Sequence, residues 1–199
     1  MIVRESIDFV RGKSSKESFG VGRRVEIHRF FDELDISRED YTIDDDLNIH
    51  FRGSLDLRYS QIRELPSGLE VGGNLFLRGT QIRELPVGLK VGGSLFLRGS
   101  QIEELPVGLK VGGGLDISGT QIRELPTDLV VGEYLDLKDT PIREFPAELK
   151  VGGNLYLMGT QIEELQTGLV VGGDLHLYDT QIRELPPDLE VGGKIFKDF

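Results

Sequence analysis

The sequence contains no cysteine, no apolar run long enough to cross a bilayer, and too few basic residues to balance its acids. Without cysteine there are no disulfides, no thiolate nucleophile and no Cys-ligated metal. A reducing, cytoplasmic setting is therefore the default expectation. A membrane-spanning helix needs about 18 or more consecutive apolar residues, and nothing in the chain approaches that. The opening "MIVRESIDFVRGK" mixes charges into its apolar residues, unlike a secretory signal. The formal net charge is −11, with acids in excess both in the first 50 residues and in the remainder. Phosphate backbones select the opposite balance, so neither nucleic acid nor an anionic membrane is an expected partner.

What the chain has in abundance is repetition. Most of its 26 glycines recur at fixed places in a phrase of 20 residues, which begins at Gln61, Gln81, Gln101, Gln121, Pro141, Gln161 and Gln181. A degenerate opening turn, "FRGSLDLRYS", precedes them. Self-similarity at this period specifies a solenoid, because one unit of this size cannot bury its own apolar face.

One unit shows how the coil works. Leu95 and Leu97 flank Phe96, so period-two alternation turns both leucines inward and Phe96 outward. With Ile102, Leu105, Leu109 and Val111 they give each turn an aliphatic interior, each side chain contributing roughly 1.5–3 kcal/mol on burial. Identical phrases stack in register, so the strands centred on Leu-x-Leu pair in parallel, at about 4.8 Å per turn. Glycine pairs such as Gly92-Gly93 are expected at the corner entering the strand, where positive φ or close backbone approach suits glycine. A phosphate-cradling loop would need a following helix and a Lys-Ser/Thr pair, and has neither. The column Ser60, Thr80, Ser100, Thr120, Thr140, Thr160 and Thr180 is expected to bond to backbone at the turn after each strand. A ladder of hydroxyls supplies no unique nucleophile.

The frame LxLxx[TS]xIxxLPxxL resembles the leucine-rich repeat family, in its short bacterial 20-residue class with LxLxxNxLxxLP units. Leu95, Leu97, Ile102, Leu105 and Pro106 occupy framework positions, and the likeness covers about residues 51–196. Thr or Ser stands where the family carries its asparagine ladder, and Val-Gly-Gly replaces the first framework leucine. The resemblance implies a curved solenoid with strands on the concave side and extended segments on the convex side. Some relatives carry a separate ubiquitin-ligase domain with a catalytic cysteine; a chain without cysteine is not expected to have that activity. The expected fold class is a repeat solenoid, α+β in total. It is a leucine-rich-repeat-like parallel β solenoid of about eight 20-residue turns with an N-terminal helical cap.

Three segments are expected: a mobile or loosely docked arm over residues 1–20, with a short strand at Ile7–Val10; a cap over 21–50; and the solenoid over 51–199. In the cap, Ile27, Phe30, Phe31 and Leu34 fall at i, i+3, i+4 and i+7, one apolar face of a helix that would cover the open first turn. Next, Asp44, Asp46, Asn48 and His50 alternate as on one solvated strand. A calcium loop there fails, because Ile49 and Leu55 stand where glycine and glutamate are required. At the far end, Lys194, Lys197 and Asp198 discourage edge pairing, while Phe196 and Phe199 leave end-to-end self-association through the C-terminal turn open.

The repeats supply their own internal comparison. Glu64, Glu84, Glu104, Glu124, Glu144, Glu164 and Glu184 never vary, and the arginines beside them suggest a solvated ion-pair lattice. The outward strand column varies: Asp56, Phe76, Phe96, Asp116, Asp136, Tyr156, His176, Phe196. Flanking it are Tyr134 on one side and Arg78, Arg98 and Tyr178 on the other. Aromatics beside arginines on an exposed sheet have the composition of protein-binding hot spots. The candidate partner-binding residues are therefore Phe76, Phe96, Arg78, Arg98, Asp116, Asp136, Tyr134, Tyr156, His176 and Tyr178. His176 with Asp174 and Tyr178 is the nearest thing to acid–base chemistry, but it lacks a nucleophile. No catalytic residue, metal or cofactor is expected. The function these residues suggest is non-enzymatic recognition of a protein partner, with a structural spacer or self-assembly element as the alternative.

Overall fold

Each turn alternates apolar and other residues twice, once as Leu-x-Val and once as Leu-x-Leu. The computed structural model describes residues 16–198, with side chains from Gly22 onward, and both alternations are strands. The Leu-x-Leu strands (Leu55–Asp56, Leu75–Phe76, Leu95–Phe96 and so on to Ile195–Phe196) form a sheet of eight. The Leu-x-Val strands (Leu69–Val71, Lys90–Val91, Lys110–Val111 and on to Glu190–Val191) form a second sheet. This valine sheet reaches nine strands by adding β1 (Tyr41–Ile43) and β2 (Ile49–Phe51) at its N-terminal edge. Within the repeats every pairing is parallel and steps by one phrase: Leu75 pairs with Leu95, Leu135 with Leu155, and Val131 with Val151. The expected leucine sheet is present. The valine sheet was not foreseen, because Leu109 and Val111 were read only as inward-facing positions.

The interior is the stack of inward columns. Leu95, Leu97, Ile102, Leu105, Leu109 and Val111 are all buried, as are their counterparts in the other central turns, whereas the invariant glutamates are all exposed. The hydroxyl column bonds as expected: Thr80, Thr120, Thr140, Thr160 and Thr180 donate to the carbonyl three residues back at 2.7–2.8 Å. Ser100 is the exception, its buried hydroxyl having no partner. The ion-pair lattice is corrected: among the described residues no arginine of this column lies within 4.0 Å of a glutamate. Arg63 and Arg143 instead donate to Gln81 and Gln161 at 3.3 and 3.1 Å. In water an exposed ion pair gains too little to hold two long side chains together.

The glycine corners need close approach and not unusual dihedrals. A Cβ on Gly92 would lie 2.4 Å from the Gly72 carbonyl oxygen, and one on Gly132 would lie 2.0 Å from that of Gly112. The column reads Arg52, Gly72, Gly92, Gly112, Gly132, Gly152, Gly172, Gly192. Its one side chain stands in the first turn, which has no repeat turn before it. Positive φ occurs elsewhere, at the turns that precede the valine strands, as in Gly68 and Gly88, and at those that follow the leucine strands. There Gly79 and Gly99 adopt it, and so do Tyr59, Asp139 and Asp179.

Helix α1 (Lys16–Asp32) covers the first turn. Ile27, Phe30 and Phe31 are buried, and Leu34 packs against the core just past the helix end. Phe31 meets Tyr41 and Phe51 at ring-centroid distances of 4.7 and 5.1 Å. The helix closes with Ile36 N–H donating to Phe31 O at 3.0 Å and Asp35 N–H to Asp32 O at 3.2 Å, and with Asp35 at φ 59°. That is the paired C-terminal capping pattern usually built on glycine. Residues 16–20, assigned above to the arm, are helical; the remainder of the arm, its strand at Ile7–Val10, and Phe199 lie outside the described residues. No helix among the described residues is long and apolar enough to cross a membrane.

The segment after the helix is a correction. Asp44, Asp46, Asn48 and His50 do not share a strand, because β1 and β2 form an antiparallel hairpin with its turn at residues 44–48. Asp44 closes the turn by accepting from Asn48 N–H at 2.8 Å and from Asn48 Nδ2 at 2.9 Å. The local bonding capacity of Asp and Asn competes with strand pairing and wins here. Arg24 on α1 then clasps the hairpin, donating to the carbonyls of Ile43 and Asp44 at 2.9 and 2.5 Å.

Candidate functional site

The outer face of the leucine sheet follows directly from alternation: residues on either side of each inward leucine point away from the core. What the outward residue does depends on its type. Where it is aspartate, its carboxylate folds back onto the chain two residues on. Asp56 accepts from Arg58 N–H at 3.1 Å, Asp116 from Ser118 N–H and Oγ at 3.0 and 2.6 Å, and Asp136 from Lys138 N–H at 3.0 Å. Asp56 and Asp136 also pair with the side chains of Arg58 and Lys138, at 2.5 and 2.9 Å. Asp136 is only 9% exposed. Asp116 and Asp136 therefore serve the local turn.

Where the outward residue is aromatic, it stacks on its neighbour one turn away. Phe76 and Phe96 lie 4.8 Å apart at an interplanar angle of 4°. Tyr156, His176 and Phe196 form a second stack, with 4.6 Å between successive rings. All five rings are half-buried, by one another and by flanking side chains. Tyr178 is 40% exposed and tilts toward Phe196 at 6.4 Å. Sandwiched between two rings, His176 is a stacking residue, and Asp174 accepts from Lys194 N–H at 2.7 Å. The acid–base constellation is not assembled.

The column at Ser54, Asn74, Ser94, Asn154 and Asp174, on the same flank as Tyr134, is a structural ladder. Each side-chain oxygen accepts from the backbone N–H one turn on, at 2.7–2.9 Å. The ladder breaks at Gly114, and Tyr134 fills the gap: a Cβ on Gly114 would lie 2.1 Å from the Tyr134 ring. Burial is the first cause raising the Tyr134 phenol above its ordinary value, and Asp116 and Asp136 add to it.

The face is thus divided. Phe76, Phe96, Arg78 and Arg98 come together toward the N-terminal end, and Tyr156, His176 and Tyr178 toward the C-terminal end, with Tyr134, Asp116 and Asp136 between them. Two neighbours escaped sequence reasoning. Arg58 lies over Phe76 at 5.2 Å, and Tyr59, 64% exposed, lies under Arg78 at 5.9 Å. Both belong to the degenerate first turn, where comparison between repeats is weakest. Among the described residues, no three His, Cys, Asp or Glu side chains converge on a metal position.

A separate charged cluster joins the cap to the first repeats on the valine sheet. His50 Nε2 meets Asp44 Oδ2 at 3.1 Å, and its Nδ1 meets Glu70 Oε2 at 3.0 Å. Glu70 in turn pairs with Lys90. Ionised carboxylates only accept, so both ring nitrogens donate when the imidazole is protonated. The bond to Asp44 is the first cause raising the His50 pKa. The bond from Asn48 leads in lowering Asp44 to about 2, and that from Lys90 leads in lowering Glu70. A raised histidine contributes stability that is complete below its ordinary value of 6.5 and is lost as pH rises through the folded value. The lowered carboxylates contribute above their ordinary values of 3.8 and 4.5 and lose the contribution as pH falls. The urea midpoint of the wild type should therefore exceed that of His50→Gln most between pH 4.5 and 6.5. The gap should narrow on both sides; a gap independent of pH would show that protonation of His50 is not what ties the hairpin down.

No protein-family model matches the chain, and no curated protein matches it significantly; its classification as a parallel β solenoid of leucine-rich strands rests on its own repeat and stacking geometry.

Proposed function

We propose that this is a non-enzymatic recognition module of the leucine-rich-repeat type, acting in the cytoplasm, which binds a protein partner through the outer face of its leucine sheet. The observation that carries this reading is the half-buried Phe76–Phe96 stack, which no helix or strand among the described residues crosses and which Arg78 and Arg98 flank in the open. Neither ring fills the core, so fold stability does not demand aromatics there. Aromatic and arginine side chains together are the residues that most often anchor protein interfaces. The reading needs no cofactor, nucleic acid or membrane.

Changing Phe76 and Phe96 together to Ser tests it. The cost to folding should be about 0.5–1.5 kcal/mol for the aromatic pair, plus the smaller part of each ring's burial that a half-buried position supplies. Capture of the partner should be abolished, since anchors of this kind carry about 2 kcal/mol or more each. Undiminished capture by a folded double variant would remove the leucine face from the function. An unfolded variant would mean that the rings support the core.

A second reading is favoured by the last described turn, where Ile195 is 38% exposed and Leu189 and Val191 are half-buried. In that reading the solenoid is a spacer that associates end to end. Sedimentation of the Ile195→Lys variant separates the two, because only the spacer reading expects that change to dissociate an assembly.

A further inference from the structure

Arg78 and Arg98 are set apart by what their strands lack. At Asp56 and Asp136 the outward carboxylate neutralises the basic residue two positions on, Arg58 or Lys138. At Phe76 and Phe96 the same place holds a phenyl ring. Arg78 and Arg98 consequently form no ion pair among the described residues, and both are exposed. Two unneutralised guanidiniums on adjacent strands, about 4.8 Å apart at the backbone, form a cationic spot on a chain of net charge −11.

The rings between them add to the same polarity. Phe76 and Phe96 are parallel within 4° at 4.8 Å, so each covers one face of the other. The Arg58 guanidinium lies over Phe76 at 5.2 Å. Three of the four ring faces are thereby occupied, and the ring edges left to solvent are the positive part of the aromatic quadrupole. Edges and guanidiniums together favour an anion and disfavour a cation. Guanidinium matches carboxylate by two parallel hydrogen bonds.

We infer that the Phe76–Phe96–Arg78–Arg98 patch receives a carboxylate-bearing segment of another protein, with acidic side chains on the two arginines and an apolar side chain laid against the rings. This rests on the proposed binding role of the leucine face and names the chemistry of its partner. In an extended segment, side chains on one face recur about every 6.8 Å, a span that two flexible arginines one strand apart can match.

Panning a random linear peptide library against the immobilised full chain tests the inference. Wild type should enrich Asp and Glu beside an aromatic or aliphatic residue. The Arg78→Glu/Arg98→Glu variant should bind a selected peptide about tenfold or more weakly, two exposed ion pairs having become repulsions. A peptide with its acids replaced by Lys should recover binding to that variant. Selected peptides without acidic enrichment, or equal binding to wild type and variant, would overturn the inference. If such peptides still depend on Phe76 and Phe96, the leucine face keeps its role and only the acidic class fails; if they depend on neither pair, both fail. Tighter binding of single-stranded oligo(dT) than of any selected peptide would assign the patch to nucleic acid instead. Loss of a wild-type self-association in the arginine variant would make the occupant a second copy of this chain. Either result overturns the assignment to another protein.

Discussion

Replacing Gly132 by alanine should unfold much of the coil, although it adds a single methyl group. That carbon would sit 2.0 Å from the Gly112 carbonyl oxygen, far inside van der Waals contact. The obstacle is backbone, so no side chain can rotate away. Relief requires the two turns to separate at the corner, where Gly132 N–H donates to Val111 O at 3.0 Å and Glu133 N–H to Gly113 O at 3.1 Å. Overpacking a well-filled core costs about 1–3 kcal/mol, and an immovable neighbour puts this substitution at or above the top of that range. Gly53→Ala is the control. It occupies a corner in the first turn, where an added Cβ meets nothing within 4 Å, and its stability should change by less than about 0.5 kcal/mol. Urea denaturation of both variants decides the matter; equal midpoints would show that the glycine columns are not required by stacking.

Replacing Phe31 by aspartate should detach the cap. The ring is fully buried against Phe30, Tyr41 and Phe51 at 4.7–5.1 Å. Deleting a buried phenyl group alone costs about 3–5 kcal/mol, and an unpaired carboxylate in that apolar cluster adds to the loss. With α1 undocked, the apolar end of the first turn meets water, and the variant should aggregate or melt without cooperativity. A solenoid whose turns contact only their neighbours is sensitive to an uncapped end. Phe31→Leu, which keeps most of the apolar volume, should cost far less. A wild-type melting curve for the aspartate variant would mean that the helix is not a lid.

Legibility in the sequence varied with the distance over which each feature is determined. The inward set of Leu95, Leu97, Ile102, Leu105, Leu109 and Val111 was readable because alternation and repetition are both written along the chain. The cap helix was readable from the spacing of Ile27, Phe30 and Phe31, although it ends at Asp32 and Leu34 follows it. The valine sheet was missed because Leu-x-Val is short and lies next to glycines, which disguise a strand. The hairpin around Asp44 was missed because alternating polar residues also describe a strand; the side-chain bonds from Asn48 to Asp44 decided for a turn.

The candidate face divides in the same way. That Phe76, Phe96, Tyr156 and His176 point outward follows from their place between inward leucines. Their stacking, the turn-capping role of Asp116 and Asp136, and the ladder through Asn74 and Ser94 depend on which residue lies 20 positions away and in what rotamer.

By itself, then, the sequence determined the period, the parallel register and the identity of the core columns, since equal phrases can satisfy equal neighbours only by stacking in step. The tertiary structure alone decided three things: that the corner glycines answer to a carbonyl of the preceding turn, that a histidine bridges cap and coil, and that Arg78 and Arg98 lack the carboxylates Arg58 and Lys138 possess. Each is a contact between turns, set by distances of a few ångströms between residues far apart in the chain, and no local pattern encodes such a distance.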